Sequence, residues 1–365
     1  MAASSPPPAR FENINLLRAA AALAVVVYHV IEHGKWTSFP DSGPLAVFRI
    51  GGMGVDLFFV ISGFVIAYSA LVLYRADRAA FTPTYWRRRL ARILPLYLVT
   101  LLLYIVALWP SWSAEEWLWQ LGSHLTFTHS FWWWTHGAID GPNWSLAIEM
   151  QFYLVMALAI GWIDRAPAWR ILLYGALFSW AWRGAMWLVS SDEATSLIFI
   201  RTTQLPGTLD EFAAGIVLAK LVLDSPRDWF RSAVPWMAGA SLTGYATFAV
   251  YWRYAEYWHF PGMVVFWRTA VALFFMCLVG AAMALPQEIA RRWLRPADYL
   301  GEISYGIYLW HLFAVNAFVL VAGFRGPSAL LPVLASTLLL AAISWHLLEK
   351  PAMRMGRGGM LKSSP

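Results

Sequence analysis

The chain has 365 residues, 59% of them apolar and 13% charged, with 23 tryptophans and a formal net charge of +6. Soluble domains carry about 25% charged residues, so this composition excludes a soluble globular enzyme and points to a polytopic membrane protein. The one cysteine, Cys277, falls in an apolar run, which rules out an internal disulfide framework and leaves it as a small apolar filler.

Met1 to Arg10 has too little positive charge, and no short apolar core before a small-residue cleavage site, to be a removable signal. The first apolar run is therefore expected to stay as an anchor. A window of about 19 residues finds candidate spans near 14–31, 54–73, 90–109, 143–163, 169–190, 206–223, 232–251, 264–285, 303–323 and 329–348. The sixth and seventh are the weakest, diluted by Asp210, Glu211 and Gly239. The predicted fold class is all-α: a polytopic integral membrane protein of about ten transmembrane helices. No repeat, low-complexity block or second domain is visible. The organisation reads as a short tail over 1–12, a transmembrane domain over 13–350 and a basic tail over 351–365.

The first span carries Arg18 and His29, eleven residues apart. That spacing is roughly 16 Å along a helix, about half the hydrocarbon thickness. Ionisable groups in lipid are costly, so both are functional candidates. His29-Val-Ile-Glu32-His33 fits an inverted zinc-protease pattern, but it straddles the end of a span and nothing else suggests a metal, so none is expected. Gly51-Gly-Met-Gly54 precedes a span instead of following a strand and is a poor phosphate loop. Before the third span, Tyr85-Trp-Arg-Arg-Arg-Leu-Ala-Arg-Ile-Leu-Pro95 puts Arg89 and Arg92 on one side of a helix. Their forks suit phosphate oxygens, and they also suit plain anchoring on acidic lipid. The segment 110–142 has no Lys or Arg but holds Trp112, Trp117, Trp119 and Trp132-Trp133-Trp134. It reads as an aromatic belt or as a sugar-stacking surface.

On untilted helices, His29 lies roughly 8 Å below the outer boundary, and Glu149 and Arg183 roughly 9 Å. Arg268, Asp210 and Glu211 fall at roughly 6 to 8 Å, with Asp56 shallower. Polar groups from six spans thus converge on one level, which predicts a solvated pocket open to the outer face. Within it His29 is the candidate general base, oriented by Glu149 or Asp56, although a His–carboxylate pair can also merely tie two helices. Ser62, Asn143 and Ser145 are candidate donors to an oxyanion, or else caps and interhelical ties. Asp210, Arg268 and His311 complete the candidate substrate-facing set. His311, near mid-depth, either lines an acyl path or pairs across helices.

Placing the N-terminus in the cytoplasm puts 19 Lys and Arg on inner segments and 5 on outer ones, which predicts an even number of spans with both termini cytoplasmic. That asymmetry accounts for the positive charge without nucleic acid. The rival reading from these features is a proton-coupled transporter of a glycan or small acid, with His29 and the acidic groups as a relay.

Several stretches together resemble the membrane acyltransferase 3 family. They are Leu17-Arg18 with His29, Gly54-Val-Asp-Leu-Phe-Phe-Val-Ile-Ser-Gly-Phe64, Arg89 and Arg92 before Ile-Leu-Pro, Asn143-Trp-Ser-Leu-Ala-Ile-Glu149, Ser304-Tyr-Gly-Ile-Tyr-Leu-Trp-His311 and Glu349-Lys-Pro351. The resemblance runs from about residue 11 to 352. Lys350 stands where the closing motif often has Arg, and the chain resembles the stand-alone members. The resemblance implies transfer of an acyl group, usually acetyl, from cytoplasmic acyl-coenzyme A to a hydroxyl of a glycan or lipid-linked sugar such as exopolysaccharide or O-antigen. It implies coenzyme binding by Arg18, Arg89 and Arg92 and acceptor chemistry around His29, in a bacterial inner or plasma membrane. Transfer is either direct or through an acyl-His29 intermediate.

Overall fold

The computed structural model describes residues 11–108, 111–191, 193–225, 229–254 and 257–358. The tails over 1–10 and 359–365, with Arg10 and Lys362, and also Arg227 and the Arg291 side chain, lie outside the described residues. The described secondary structure is entirely helical. In chain order the long helices are α1 (Asn13–His33), α2 (Gly54–Ala76) and α3 (Phe81–Leu108). The short α4 (Ala114–Leu125) precedes α5 (Asn143–Arg165) and α6 (Ala168–Leu188). After α7 (Thr195–Thr202) come α8 (Leu205–Asp224), α9 (Val234–Arg253) and α10 (Pro261–Ala284). Two short helices, α11 (Glu288–Trp293) and α12 (Arg295–Glu302), lead to α13 (Ser304–Val315) and α14 (Leu330–Ser344). A final α15 (Lys350–Gly356) extends the last helical run beyond residue 350.

Each expected span falls on one of these helices. Among the described residues, 7 helical segments are long and apolar enough to cross a membrane. The expected spans on α6, α8 and α9 fall short of that apolarity. Asp210, Glu211, Lys220 and Asp224 dilute α8, while α6 and α9 are rich in Trp, Tyr, Gly and Ser.

Polar contacts gather helix ends onto one face. The Arg75 guanidinium at the end of α2 meets Asp164 of α5 at 2.7 Å and Asp224 of α8 at 2.8 Å. The Asn13 side chain at the start of α1 donates to the carbonyls of Ala282 and Pro286 at the end of α10, at 3.1 and 3.0 Å. Asn15 reaches Asp298 of α12 at 2.8 Å, and Arg87 at the start of α3 donates to the Gly356 carbonyl at 3.0 Å. On the far side, the Gly326 N–H before α14 donates to the Gly34 carbonyl after α1 at 2.9 Å.

α2 packs closely against α8, where small residues let two backbones touch. A Cβ on Gly63 would stand 2.3 Å from the Phe212 carbonyl oxygen, and one on Gly215 would stand 2.2 Å from the Val60 oxygen. Asp56 and Ser62 ride on α2, so this contact fixes their position against α8. Gly122 of α4, by contrast, has nothing within 4 Å of an added Cβ. Gly215→Val is therefore expected to destabilise the fold by at least about 1–3 kcal/mol through overpacking. Gly122→Ala should be neutral or slightly stabilising. Thermal unfolding in detergent checks both; equal melting temperatures for the two variants would contradict this packing.

Candidate active site

Two cavities lie in the helix bundle. One, nearer the start of α1 and called inner here, of about 120 Å³, is lined by Arg18 of α1, Ser62 of α2, Arg89 and Arg92 of α3, Ser145 and Glu149 of α5, and Ser304 of α13, among apolar neighbours. The outer one, of about 620 Å³, is lined by His29, Asp56, Arg268 and His311, with Arg49 and a wall of aromatic rings that includes Trp144, Tyr251, Trp258 and Trp267. Val55 and Tyr308 line both. They form the wall between the two chambers.

In the inner chamber each cation is held from behind. Arg18 donates to Ser304 Oγ at 3.1 Å. Arg92 meets the buried carboxylate of Glu349 at 3.2 Å and lies over the rings of Tyr305 and Trp345. Trp345–Glu349 is a π-helical stretch, which inserts extra backbone into the last helical run and brings that carboxylate to α3. Arg89 touches Ser69 Oγ and is sandwiched by the rings of Tyr85 and Tyr153, yet its buried Nε has no partner among the described residues. Arg89 lines the cavity as a whole residue, and a guanidinium fork there suits a ligand oxygen. Glu149 accepts from Tyr153 at 2.8 Å and from Ser62 at 3.3 Å.

The outer chamber contains the histidine pair. His29 Nδ1 stands 2.9 Å from the Val25 carbonyl one turn back in α1, and a carbonyl only accepts, so this nitrogen carries the proton. His311 is buried completely, its Nδ1 held 2.5 Å from the Tyr308 carbonyl, which leaves its Nε2 as an acceptor. That Nε2 lies 3.2 Å from His29 Nδ1, so the same proton is shared with it. The consequence is a His29 ring whose Nε2 keeps a free lone pair, the state a general base requires.

The expected partners of His29 are elsewhere. Glu149 belongs to the inner chamber, and Asp56 is bound to Arg268 at 2.5 Å, so His311 and the Val25 carbonyl orient the ring instead. Arg268 also reaches Glu211 at 3.3 Å. Asp210 lines neither chamber: it binds Arg183 and the Thr269 hydroxyl, tying α6, α8 and α10 in the dry interior. Asn143 is fully buried at the start of α5 and also lines neither. Its carbonyl accepts from His129 of the segment that covers the outer face, while its side-chain amide has no partner among the described residues. Sequence reasoning missed Tyr308 and Glu349 as site residues, although both lie in the quoted motifs, and it missed Arg49 altogether. The tryptophans of the outer segment are split. Trp119, Trp133 and Trp134 are exposed, whereas Trp112, Trp117 and Trp132 are half-buried.

Residues 11–346 match a family model described as an acyltransferase domain. The exopolysaccharide production protein ExoZ of Rhizobium meliloti is 28% identical over 339 residues, 85% of this chain and 92% of that protein. The peptidoglycan O-acetyltransferase OatA of Listeria monocytogenes is 24% identical over 94% of this chain. The putative peptidoglycan O-acetyltransferase YrhL of Bacillus subtilis is 28% identical over 93% of it. The chain spans only 56% and 54% of the lengths of these last two. No solved structure matches the chain.

The Arg183–Asp210 pair generates its own test. Removing one partner of a fully buried ion pair leaves an uncompensated charge, so Arg183→Met or Asp210→Leu alone should cost about 3–5 kcal/mol. The double replacement should recover most of that loss, because both charges then leave the apolar interior together. Folded yield and melting temperature in detergent check it; a double variant as unstable as the singles would show that the pair has another role.

Proposed function

The chain belongs to the acyltransferase 3 family whose model it matches, and from that premise we propose that it moves an acyl group, acetyl first of all, from cytoplasmic acyl-coenzyme A to a hydroxyl of a cell-surface glycan. Exopolysaccharide or a lipid-linked sugar is the acceptor class this reading favours. The observation that carries it is the shared wall: an arginine-lined chamber and a histidine-lined chamber meet at Val55 and Tyr308. Arginine forks match phosphate oxygens in bidentate geometry, which suits Arg18, Arg89 and Arg92 to the diphosphate end of the donor. The outer chamber, with its stacked rings and the Asp56–Arg268 pair, suits a polyhydroxylated ring, whose C–H faces pack on aromatics while its hydroxyls reach charged groups.

The reaction we assign is direct. The acceptor hydroxyl oxygen attacks the thioester carbonyl carbon as its proton passes to His29 Nε2, and a new C–O bond forms. Collapse of the tetrahedral intermediate breaks the C–S bond, and the proton held by His29 passes to the departing thiolate. Arg18 and Arg92 hold the donor, and Glu149 fixes Ser62 and Tyr153 around its arm.

This reading places the protein in a bacterial plasma membrane with both termini in the cytoplasm and ten crossings in five antiparallel pairs. Two facts support it. The end of α2 meets those of α5 and α8, the start of α1 meets the end of α10, and the start of α3 meets the end of α15, and 19 of the Lys and Arg residues fall on segments assigned to that side. One acyltransferase unit over 13–350 then accounts for the membrane part of the chain.

The test is label transfer from acetyl-coenzyme A into surface glycan, in membranes carrying the native chain or a variant at matched expression. His29→Ala is expected to abolish transfer. Arg89→Gln is expected to raise the donor KM by tenfold or more, in keeping with the roughly 1.5–3 kcal/mol of a hydrogen bond to a charged group, while leaving kcat largely intact. Label that is independent of His29, or no label from acetyl or succinyl donors, would overturn the acyltransferase reading in favour of proton-coupled transport.

A further inference from the structure

We propose that Tyr308 is a catalytic residue: its hydroxyl donates to the oxyanion that forms on the thioester carbonyl at the wall between the chambers. The inference rests on the acyltransferase reading and adds to it a residue and a role.

If donor and acceptor come from opposite chambers, the carbonyl that joins them must sit where those chambers meet. Val55 and Tyr308 are the residues common to both linings, and of the two only Tyr308 can donate a hydrogen bond. Ser62 and Ser145 line the inner chamber alone, and Asn143 lines neither, so the other donor candidates read from the sequence are each set back from the meeting point.

The local hydrogen bonds leave the Tyr308 proton available. The Tyr308 hydroxyl is 2.7 Å from Ser145 Oγ, and both hydroxyls lie within reach of the Pro142 carbonyl, at 3.2 Å from Tyr308 and 3.1 Å from Ser145. One carbonyl is thus served by two donors. With the Ser145 proton on Pro142, the Tyr308 proton rests on Ser145 Oγ and can turn to a developing oxyanion without stranding the serine. The ring is braced edge-on by Phe58 at 6.0 Å, so the hydroxyl is held in place before any charge appears. Preorganised donors aimed at developing charge are usually the largest single contribution to acyl-transfer catalysis.

The same residue also sets the base. Its carbonyl holds His311 Nδ1, and His311 Nε2 shares the proton on His29 Nδ1. One turn of α13 therefore carries the oxyanion donor at its hydroxyl and the anchor of the histidine pair at its backbone. In the step itself, the acceptor O–H bond breaks to give its proton to His29 Nε2. The carbonyl π electrons move onto oxygen, and Tyr308 donates to that oxygen until the C–S bond breaks and the double bond re-forms.

The experiment compares Tyr308→Phe and Ser145→Ala with the native chain in acetyl transfer, recording kcat and KM for each substrate, acetyl-coenzyme A affinity and melting temperature. Phenylalanine keeps the wall and the backbone anchor and removes only the hydroxyl. The expected result is a fall in kcat of about 100- to 1,000-fold for Tyr308→Phe, the cost of one lost oxyanion donor, with donor affinity and melting temperature unchanged. Ser145→Ala should lower kcat much less. Native-like turnover by Tyr308→Phe overturns the role of Tyr308 while leaving the acyltransferase reading standing. A loss of turnover matched by lost donor affinity or stability also overturns it, because that is the mark of a structural wall. An inactive native chain would instead overturn the reading beneath it.

Discussion

An arginine held at the depth of lipid must end on an oxygen or in water, and the arrangement of this interior follows from how each one does so. Arg183 has lost water altogether, and its carboxylate partner, Asp210, completes a tie across three helices. Arg268 is shared by Asp56 and Glu211, so its position fixes α10 against both α2 and α8 at the edge of the outer chamber. Arg18, Arg89 and Arg92 face a cavity and are held by a serine, a tyrosine sandwich and a buried glutamate. The first two tie helices to one another, while the last three line the inner chamber.

The histidine pair obeys the same rule by a different route. His29 takes its orientation first from its own helix, through the Val25 carbonyl four residues back, so its tautomer does not depend on a carboxylate. His311 adds a second acceptor on the same side of the ring. Both partners are neutral. They fix which nitrogen bears the proton, which is the role an orienting group has in any histidine base, without a carboxylate bonded to the ring. The carboxylates are thereby released for other partners: Glu149 holds Ser62 and Tyr153, and Asp56 holds Arg268.

Hydropathy and the positions of ionisable groups in the sequence were enough to outline the helices and to single out Arg18, His29, Arg89, Arg92, Asp56 and Arg268, all of which line a cavity. What they could not supply was partnership. Helical rise gives the depth of a residue, but the direction in which it points around the bundle depends on packing between distant helices. Groups at one depth therefore looked like one pocket: His29, Glu149 and Asp210 share a level, yet the structure sends them to the outer chamber, the inner chamber and a dry tie. Glu349 was hidden for a further reason. A π-helical stretch shifts its facing relative to a regular helix, and no sequence periodicity announces that shift. Tyr308 was hidden by ordinariness, because a tyrosine in an apolar helix reads as filler until two cavities are seen to meet on it.

The two chambers also differ in readiness. The outer one, at about 620 Å³, lies within the roughly 300–1,000 Å³ typical of small-molecule sites, whereas the inner one, at about 120 Å³, lies below it. Under the proposed reaction, an acceptor sugar would therefore meet a largely formed site, while a pantetheine arm would have to widen its own. Part of the inner lining suits such widening: Arg89 lies between two aromatic faces, which tolerate sliding better than a directional hydrogen bond does, whereas Arg92 is pinned to Glu349. Under the proposed reaction, this asymmetry has a chemical use. The outer chamber is large enough to hold water beside the acceptor, so a permanently open donor path would expose the thioester to hydrolysis. A wall that parts only when the donor has pushed between the arginines couples exposure of the thioester to the presence of the base and the oxyanion donor that act on it.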